Sequence, residues 1–538
     1  MKKVALRKRV VLGLFTAIMT LSLTACGSKN SDTNIETESA NNTNSELESN
    51  EDAQTDATEA SNEDLEITIA RAFDIAGLDP GFLTENAQVV DNIFDTLVTR
   101  NENMELVPSL AESWQQVEDT VWEFKLRQDV EFTNGEKFNA EAVKYSIDRV
   151  LNPDNNAPTL SYISTVKEVK VVDDYTVQII TNESDPLIPT RFSRYPTEVV
   201  APAYAEEVGQ EEFAQNPIGT GPYQFESWDK GTSVTLVRND KYWGEAPEVA
   251  KVTFKAIPEA STRVSALLNG EVDLITGVSA DDRDKINSSD KAYLSTVDRA
   301  GNIVYVGFKT DAAPFDNLKV RQALNYAVDV KSIVDYILKG AAVETNSIIG
   351  PSDFGYAGEP EGYEYNVEKA KQLLTEAGYP DGFEVELDTV NWYLKNTDVA
   401  QAIAQQLKEV GVTVKINDVE SSVYRQTVPA GEQASMYILG WSSTNTLDAD
   451  AAIYAILHSG QSYATYNNSE VDALLDEARF ATTDTPRADL YKQIQELYIE
   501  DAPRIFLYQE NQYYGISDRL DWQGRIDTAI PVKTIKAK

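Results

Sequence analysis

The sequence is short of cysteine, histidine and positive charge. One cysteine and one histidine occur among 538 residues, and 47 Lys and Arg stand against 87 Asp and Glu, a formal net charge of −40. A single thiol excludes intramolecular disulfides and cysteine-rich zinc sites. A single imidazole, His458, leaves little room for His-based catalysis or an all-protein transition-metal site. The acidic excess repels phosphate backbones, so no nucleic-acid partner is expected. Catalytic signatures are missing too: GxSxG, HExxH, CxxC and the Walker loop do not occur. His458 stands in Ile456-Leu457-His458-Ser459-Gly460, where a lone histidine at a helix end has a structural or capping role. No enzyme, cofactor or metal site is expected. What is plentiful is core-forming material: 42% hydrophobic residues, with 26 Tyr, 17 Phe and 7 Trp, enough for several packed units.

The N-terminus begins with five basic residues (Lys2, Lys3, Arg7, Lys8, Arg9), followed by an almost wholly apolar run from Val10 to Leu23. That is the pattern of a secretory signal, with an apolar run short for a membrane span. Leu23-Thr24-Ala25-Cys26-Gly27 resembles a bacterial lipobox, which predicts a signal peptide over 1–25 and lipidation of Cys26. More than one acyl chain, at roughly 0.8 kcal/mol per buried methylene, anchors stably. The mature chain is then expected outside the cytoplasmic membrane, held to its outer face by lipid. Residues 27–64 carry eleven acidic residues, one lysine and no aromatic. Such a stretch cannot bury enough apolar surface to offset its chain entropy, and 26–64 is expected to be a disordered acidic tether. Fully extended it spans at most about 125–135 Å.

From Leu65 the texture changes. Leu65–Ala70 and Val121–Leu126 alternate like strands. Asn139 is placed to cap a helix through Leu151, and Val169–Ile180 reads as a hairpin about Asp173-Asp174. Pro217-Ile218-Gly219-Thr220-Gly221-Pro222-Tyr223 looks like a dinucleotide loop, yet it lacks the third glycine and Pro222 removes an amide donor. It reads as a tight backbone turn feeding a strand. Further on, Asn366 caps a helix closed by Gly378, strand Phe383–Leu387 follows, then a helix from Thr397 closed by Gly411 and strand Val412–Ile416. Helix and strand alternate as in an α/β lobe. Amphipathic helices at Val471–Phe480 and Arg487–Glu500 precede a buried-type strand, Ile505–Tyr508.

Several stretches, in order, carry a resemblance. They are Leu78-Asp79-Pro80, Ala111-Glu112-Ser113-Trp114, Phe124-Lys125-Leu126-Arg127, the PIGTGPY turn, Asn239–Trp243, Pro314-Phe315-Asp316, Val320–Leu324, Glu376–Gly382, Gly440-Trp441 and Asp501-Ala502-Pro503. Together they resemble the peptide-type extracellular solute-binding proteins of ABC importers, a family with dipeptide-, oligopeptide-, glutathione- and nickel-binding members. The resemblance covers about residues 65–510. It implies an α/β, two-lobed, periplasmic-binding-protein-like fold with an additional inserted domain, three domains in all. Lobe one is expected over 65–98, 216–308 and 505–538, the inserted domain over 99–215 and lobe two over 309–504. The strands near Ile303–Phe308 and Ile505–Gln509 would form the hinge.

The resemblance also implies the site. Thr84, Glu85 and Asn86, Trp392 and Tyr393, and Gly440, Trp441 and Ser442 are expected to line the cleft. The last three match a segment whose backbone pairs with peptide ligands like an added strand; core packing is the other reading for Trp441. Dipeptide and oligopeptide members place an Asp three residues after that Trp, against the ligand's α-ammonium group; here that position is Thr444. Asp448 or Asp450 is expected to supply the missing charge, and Arg425 to face a ligand carboxylate, although solvated surface charge serves equally for Arg425. The implied function is a monomeric, lipid-anchored receptor that captures short peptides, glutathione or a dipeptide among them, and hands them to an ABC permease. The alternatives are a receptor for a non-peptide solute such as a metal–chelator complex, a peptide-sensing surface protein without transport, and an extracellular hydrolase, which the missing catalytic motifs oppose.

Overall fold

The computed structural model describes residues 64–538 apart from 84–86, 444–445 and 482. The signal segment, Cys26, the tether, Thr84–Asn86 and Thr444 therefore lie outside the described residues.

Local chemistry sets the elements. Asn139 caps helix Ala140–Leu151 by accepting from the Ala142 amide at 3.0 Å, and Asn366 caps Val367–Glu376 by accepting from Lys369. Helix Ala260–Asn269 stops at Gly270, whose φ of 76° is open to glycine at little cost. Strands Val166–Asp173 and Thr176–Thr181 form the expected hairpin. Gly219 and Gly221 let two backbones meet: a Cβ on Gly219 would lie 2.1 Å from the Ile93 carbonyl oxygen, and the Gly221 amide donates to that oxygen at 2.9 Å. The PIGTGPY segment is thus a packed turn feeding strand Tyr223–Asp229.

Three sheets organise the chain. A seven-stranded sheet runs, edge to edge, Ala292–Val297, Gln512–Ser517, Leu274–Thr276, Leu65–Arg71, Val249–Ala256, Ser233–Arg238 and Tyr223–Asp229. Its central strand Leu65–Arg71 is parallel to both neighbours. A six-stranded sheet runs Ala342–Glu344, Arg504–Glu510, Ile303–Phe308, Met436–Trp441, Phe383–Thr389 and Val412–Asp418. A four-stranded antiparallel sheet runs Ala111–Glu118, Val121–Leu126, Thr176–Thr181 and Val166–Asp173, packed on helix Ala140–Leu151.

Both larger sheets are covered on two faces, as parallel strands require. In Ile303–Phe308 every residue is buried: Val304, Val306 and Phe308 enter one core with Ile403 and Leu407, while Tyr305 enters another with Ile453 and Tyr491. Ile67 and Ile69 likewise face away from Ala70.

The lobe boundaries differ from expectation. Residues 303–308 and 505–510 are expected in lobe one, yet both strands pair within the six-stranded sheet. The chain passes between the two large sheets through 298–302 and again at Asn511, which alone separates Arg504–Glu510 from Gln512–Ser517. A strand buried on both faces reads as a continuous apolar run, so its sequence does not say which sheet receives it. Among the described residues no helix is long and apolar enough to cross a membrane.

Candidate ligand cleft

Strand Met436–Trp441 lies beside Ile303–Phe308, with Val304 opposite Gly440 and Ile303 opposite Trp441. On its other side, pairing with Phe383–Thr389 reaches only Met436 and Tyr437. Beyond that point tyrosine hydroxyls take over: Tyr424 donates to the Ile438 carbonyl at 2.6 Å and Tyr393 to the Gly440 carbonyl at 3.3 Å. Burial raises both phenols above their ordinary range, so they remain donors. Gly440 is required here, because a Cβ would lie 2.7 Å from the Tyr393 ring and 2.9 Å from the Asn302 Cβ.

The strand ends at a narrow cavity of about 20 Å³. Trp441, Ser442 and Ser443 form one wall; Arg299, Ser352, Asp353 and Gln509 supply the other polar side chains. Ile526, which follows the second crossing, closes it from the side of the seven-stranded sheet. The Trp441 indole donates to the Ala451 carbonyl at 3.0 Å and packs 5.0 Å from the Tyr463 ring. Arg299 donates through Nε to Gln509 Oε1 at 2.9 Å and through Nη2 to Thr345 Oγ1 at 3.0 Å. Asp353 accepts from the Ser443 hydroxyl and, at 2.9 Å, from the Gly350 amide. Burial pushes its carboxyl up to about 6 against the pull of those two donors.

Contacts flank this cavity on two sides. Arg100 Nη2 reaches across to the Thr446 carbonyl at 2.6 Å, and Arg191 Nη2 stands 3.7 Å from Asp450 Oδ2. Near the crossings, Lys395 pairs with Asp281 at 2.8 Å and Glu510 accepts from the Leu394 amide at 2.8 Å.

Trp441 and Ser442 thus line the cavity, Gly440 precedes them, and Tyr393 supports that strand from behind. Trp392 sits one layer further out, its indole donating to Ser421 Oγ at 3.0 Å. Arg425 lies on exposed helix Ser421–Thr427 with its guanidinium 4.8 Å over the Trp392 ring, away from the cavity lining. Neither expected replacement carboxylate is free. Asp448 is held by Arg487 through two bonds of 2.6 and 2.7 Å and caps helix Ala449–Leu457. Asp450 is paired with Arg479 at 2.9 Å as well as facing Arg191. Buried carboxylates need such partners, and these come from the chain itself. His458 ends the same helix, stacked 4.7 Å from Tyr454. Sequence reasoning missed Arg299, Asp353, Gln509 and Ile526. Only Gln509 falls in an expected element, as the last residue of the hinge strand Ile505–Gln509; Asp353 sits in Pro351-Ser352-Asp353-Phe354-Gly355, whose turn signal says nothing of a cavity.

Two open α/β sheets joined by two short crossings, a third sheet appended, and a cavity where the parts meet define a two-lobed solute-binding protein. The model of the bacterial extracellular solute-binding proteins, family 5, matches residues 105–464, and the chain belongs to that family. It is an extracytoplasmic binding protein, not an enzyme. It is 31% identical to heme-binding protein A of Haemophilus influenzae over 82% of this chain and 87% of that one. It is 29% identical to the dipeptide-binding protein of Escherichia coli over 75% and 81%. Among solved structures it is similar to the periplasmic binding protein DppA of Helicobacter pylori in complex with the peptide STSA: TM-score 0.75, 27% identity, covering 88% of this chain and 98% of that one.

Proposed function

We propose that the protein is a lipid-anchored receptor that captures short peptides between its lobes and delivers them to the permease of an ABC importer. The observation that carries this reading is the cavity at the end of Met436–Trp441, bounded by residues from both sides of the crossings. A space so bounded opens when the lobes part and closes around a solute when they meet. At about 20 Å³ it has room for about one water as it stands, so a peptide enters only when the lobes part. Of its charged groups, the Arg299 guanidinium is already paired with Glu359 at 3.4 Å, while Asp353 has only neutral donors. The relatives that bind dipeptides and the peptide STSA by name support the same class.

The relative named for heme motivates a second reading. Haem iron takes His, Cys, Met or Tyr as axial ligand. None of these is among the described residues that line the cavity. Thermal unfolding of the full chain with di- to pentapeptides, glutathione, hemin and Ni²⁺ separates the readings, because a ligand at 100 times its Kd adds about 2.7 kcal/mol. Stabilisation by a peptide and not by hemin is expected; stabilisation by hemin alone overturns the peptide reading. Anchoring is tested separately: Cys26→Ala should move the protein from the membrane fraction to the soluble one.

A further inference from the structure

A second cavity, of about 310 Å³, lies where residues 91–109 and 193–198 meet the C-terminal segment 525–534. It shares no lining residue with the cavity at the end of Met436–Trp441. Segment 525–527 serves both: Ile526 lines the first, Arg525 and Asp527 the second. The second has room for a small organic molecule, and Phe94, Val107, Pro222 and Pro531 give it apolar walls.

Its charges do not balance. Five carboxylates line it against four cations, an excess of one negative charge when all are ionised. The cations are engaged within the chain. Arg525 pairs with Asp527 at 2.7 Å. Arg194 donates to the Asp527 carbonyl at 2.6 Å and stands 3.6 Å from Asp91. Arg100 donates to the Met104 and Thr446 carbonyls, and Lys533 to the Tyr242 hydroxyl at 3.3 Å. Of the other carboxylates, Asp95 accepts from Thr220, Tyr242 and Trp243, and Glu102 is exposed to water. Glu198 has neither donors nor water: it is 2% exposed, and neither of its oxygens has a hydrogen-bond partner among the described residues. A carboxylate taken from water is unfavourable until a cation or several donors reach it. A metal ion would satisfy the charge and leave the apolar walls unused, whereas a cation with a hydrocarbon body uses both.

We propose that this cavity is a second binding site, for a singly charged primary amine with an apolar body, whose ammonium is held by Glu198 and whose body packs on the apolar walls. It stands independently of the peptide reading.

The test is titration calorimetry on the full chain in detergent with phenethylamine and its uncharged isostere 2-phenylethanol, wild type against Glu198→Gln. Wild type should bind the amine at least about tenfold more tightly than the alcohol, the effect of a charge-assisted bond in a desolvated site. Glu198→Gln should abolish that preference. In the empty site burial pushes the Glu198 carboxyl up to about 8, with Asp91 adding to the rise and Arg194 opposing it. The amine takes the ionised form, so its affinity for wild type should increase roughly tenfold per pH unit from pH 6 toward 8 and level off above. The variant should lose this dependence. Equal binding of amine and alcohol by wild type, or no binding of the amine, overturns the proposal and needs no variant to fold. A preference for the amine that survives in Glu198→Gln overturns Glu198 as its counter-charge. An excess of Ala-Ala-Ala should leave the amine's affinity unchanged; displacement by this peptide overturns a site separate from the cleft.

Discussion

Glu198 offers the sharpest test of how burial and charge are balanced in this molecule. It is 2% exposed and faces a second cavity of about 310 Å³, lined by parts of 91–109, 193–198 and 525–534. Neither of its carboxylate oxygens has a hydrogen-bond partner among the described residues. Burial pushes the carboxyl up to about 8 from an ordinary 4.5; the charge of Asp91 adds to this, while Arg194 opposes it. A folded value above the unfolded one means that the native state holds a proton which the unfolded chain releases. The contribution is therefore fully favourable below about 4.5 and is lost as pH rises through about 8. Each pH unit in that window is worth about 1.4 kcal/mol, so the whole span amounts to roughly 5 kcal/mol. Glu198→Gln keeps the shape and cannot ionise. Urea unfolding of both proteins between pH 5 and 9 measures the effect. The variant should match wild type or fall slightly below it near pH 5, and exceed it by several kcal/mol at pH 8–9. Parallel stability profiles would refute the argument, showing that Glu198 finds a compensating partner or is ionised in the folded state.

The other predictions concern the cleft. Arg487→Ala leaves Asp448 buried without its counter-charge and should destabilise the fold by about 3–5 kcal/mol in urea unfolding, with part recovered when Asp448→Ala is added. Gly440→Ala drives a methyl into the Tyr393 ring and the Asn302 Cβ and should cost about 1–3 kcal/mol, relieved in part by Tyr393→Ala. Arg100→Ala removes the bond to the Thr446 carbonyl across the cleft. It should shift the unliganded protein toward the open form, read as a larger radius of gyration in small-angle scattering, and weaken peptide binding roughly three- to tenfold.

Much of the local structure was legible because its causes are local. The caps at Asn139 and Asn366 work through one side-chain oxygen and an amide three residues on. The alternation of Val121–Leu126 reports a sheet with one covered face. Charge partners were not legible. Asp448 looked free in the sequence because Arg487 is 39 residues away, and only packing of helix Asp484–Asp501 brings the two together. Asp353 is illegible for the same reason: its turn is ordinary in sequence, and its place at the cavity comes from packing beside Ser443, 90 residues on.

The sequence by itself determined the class of the molecule. A single cysteine, a single histidine, missing catalytic motifs and an ordered set of short stretches were enough to direct the reading to an extracytoplasmic binding protein of α/β type. These are matters of composition and of neighbours within a few residues. Tertiary structure alone decided which sheet takes Ile303–Phe308 and Arg504–Glu510, where the chain crosses between lobes, and which cations hold Asp448 and Asp450. Each depends on contacts between residues far apart in the chain, and burial and pairing energies of that kind exist only once the sheets have assembled.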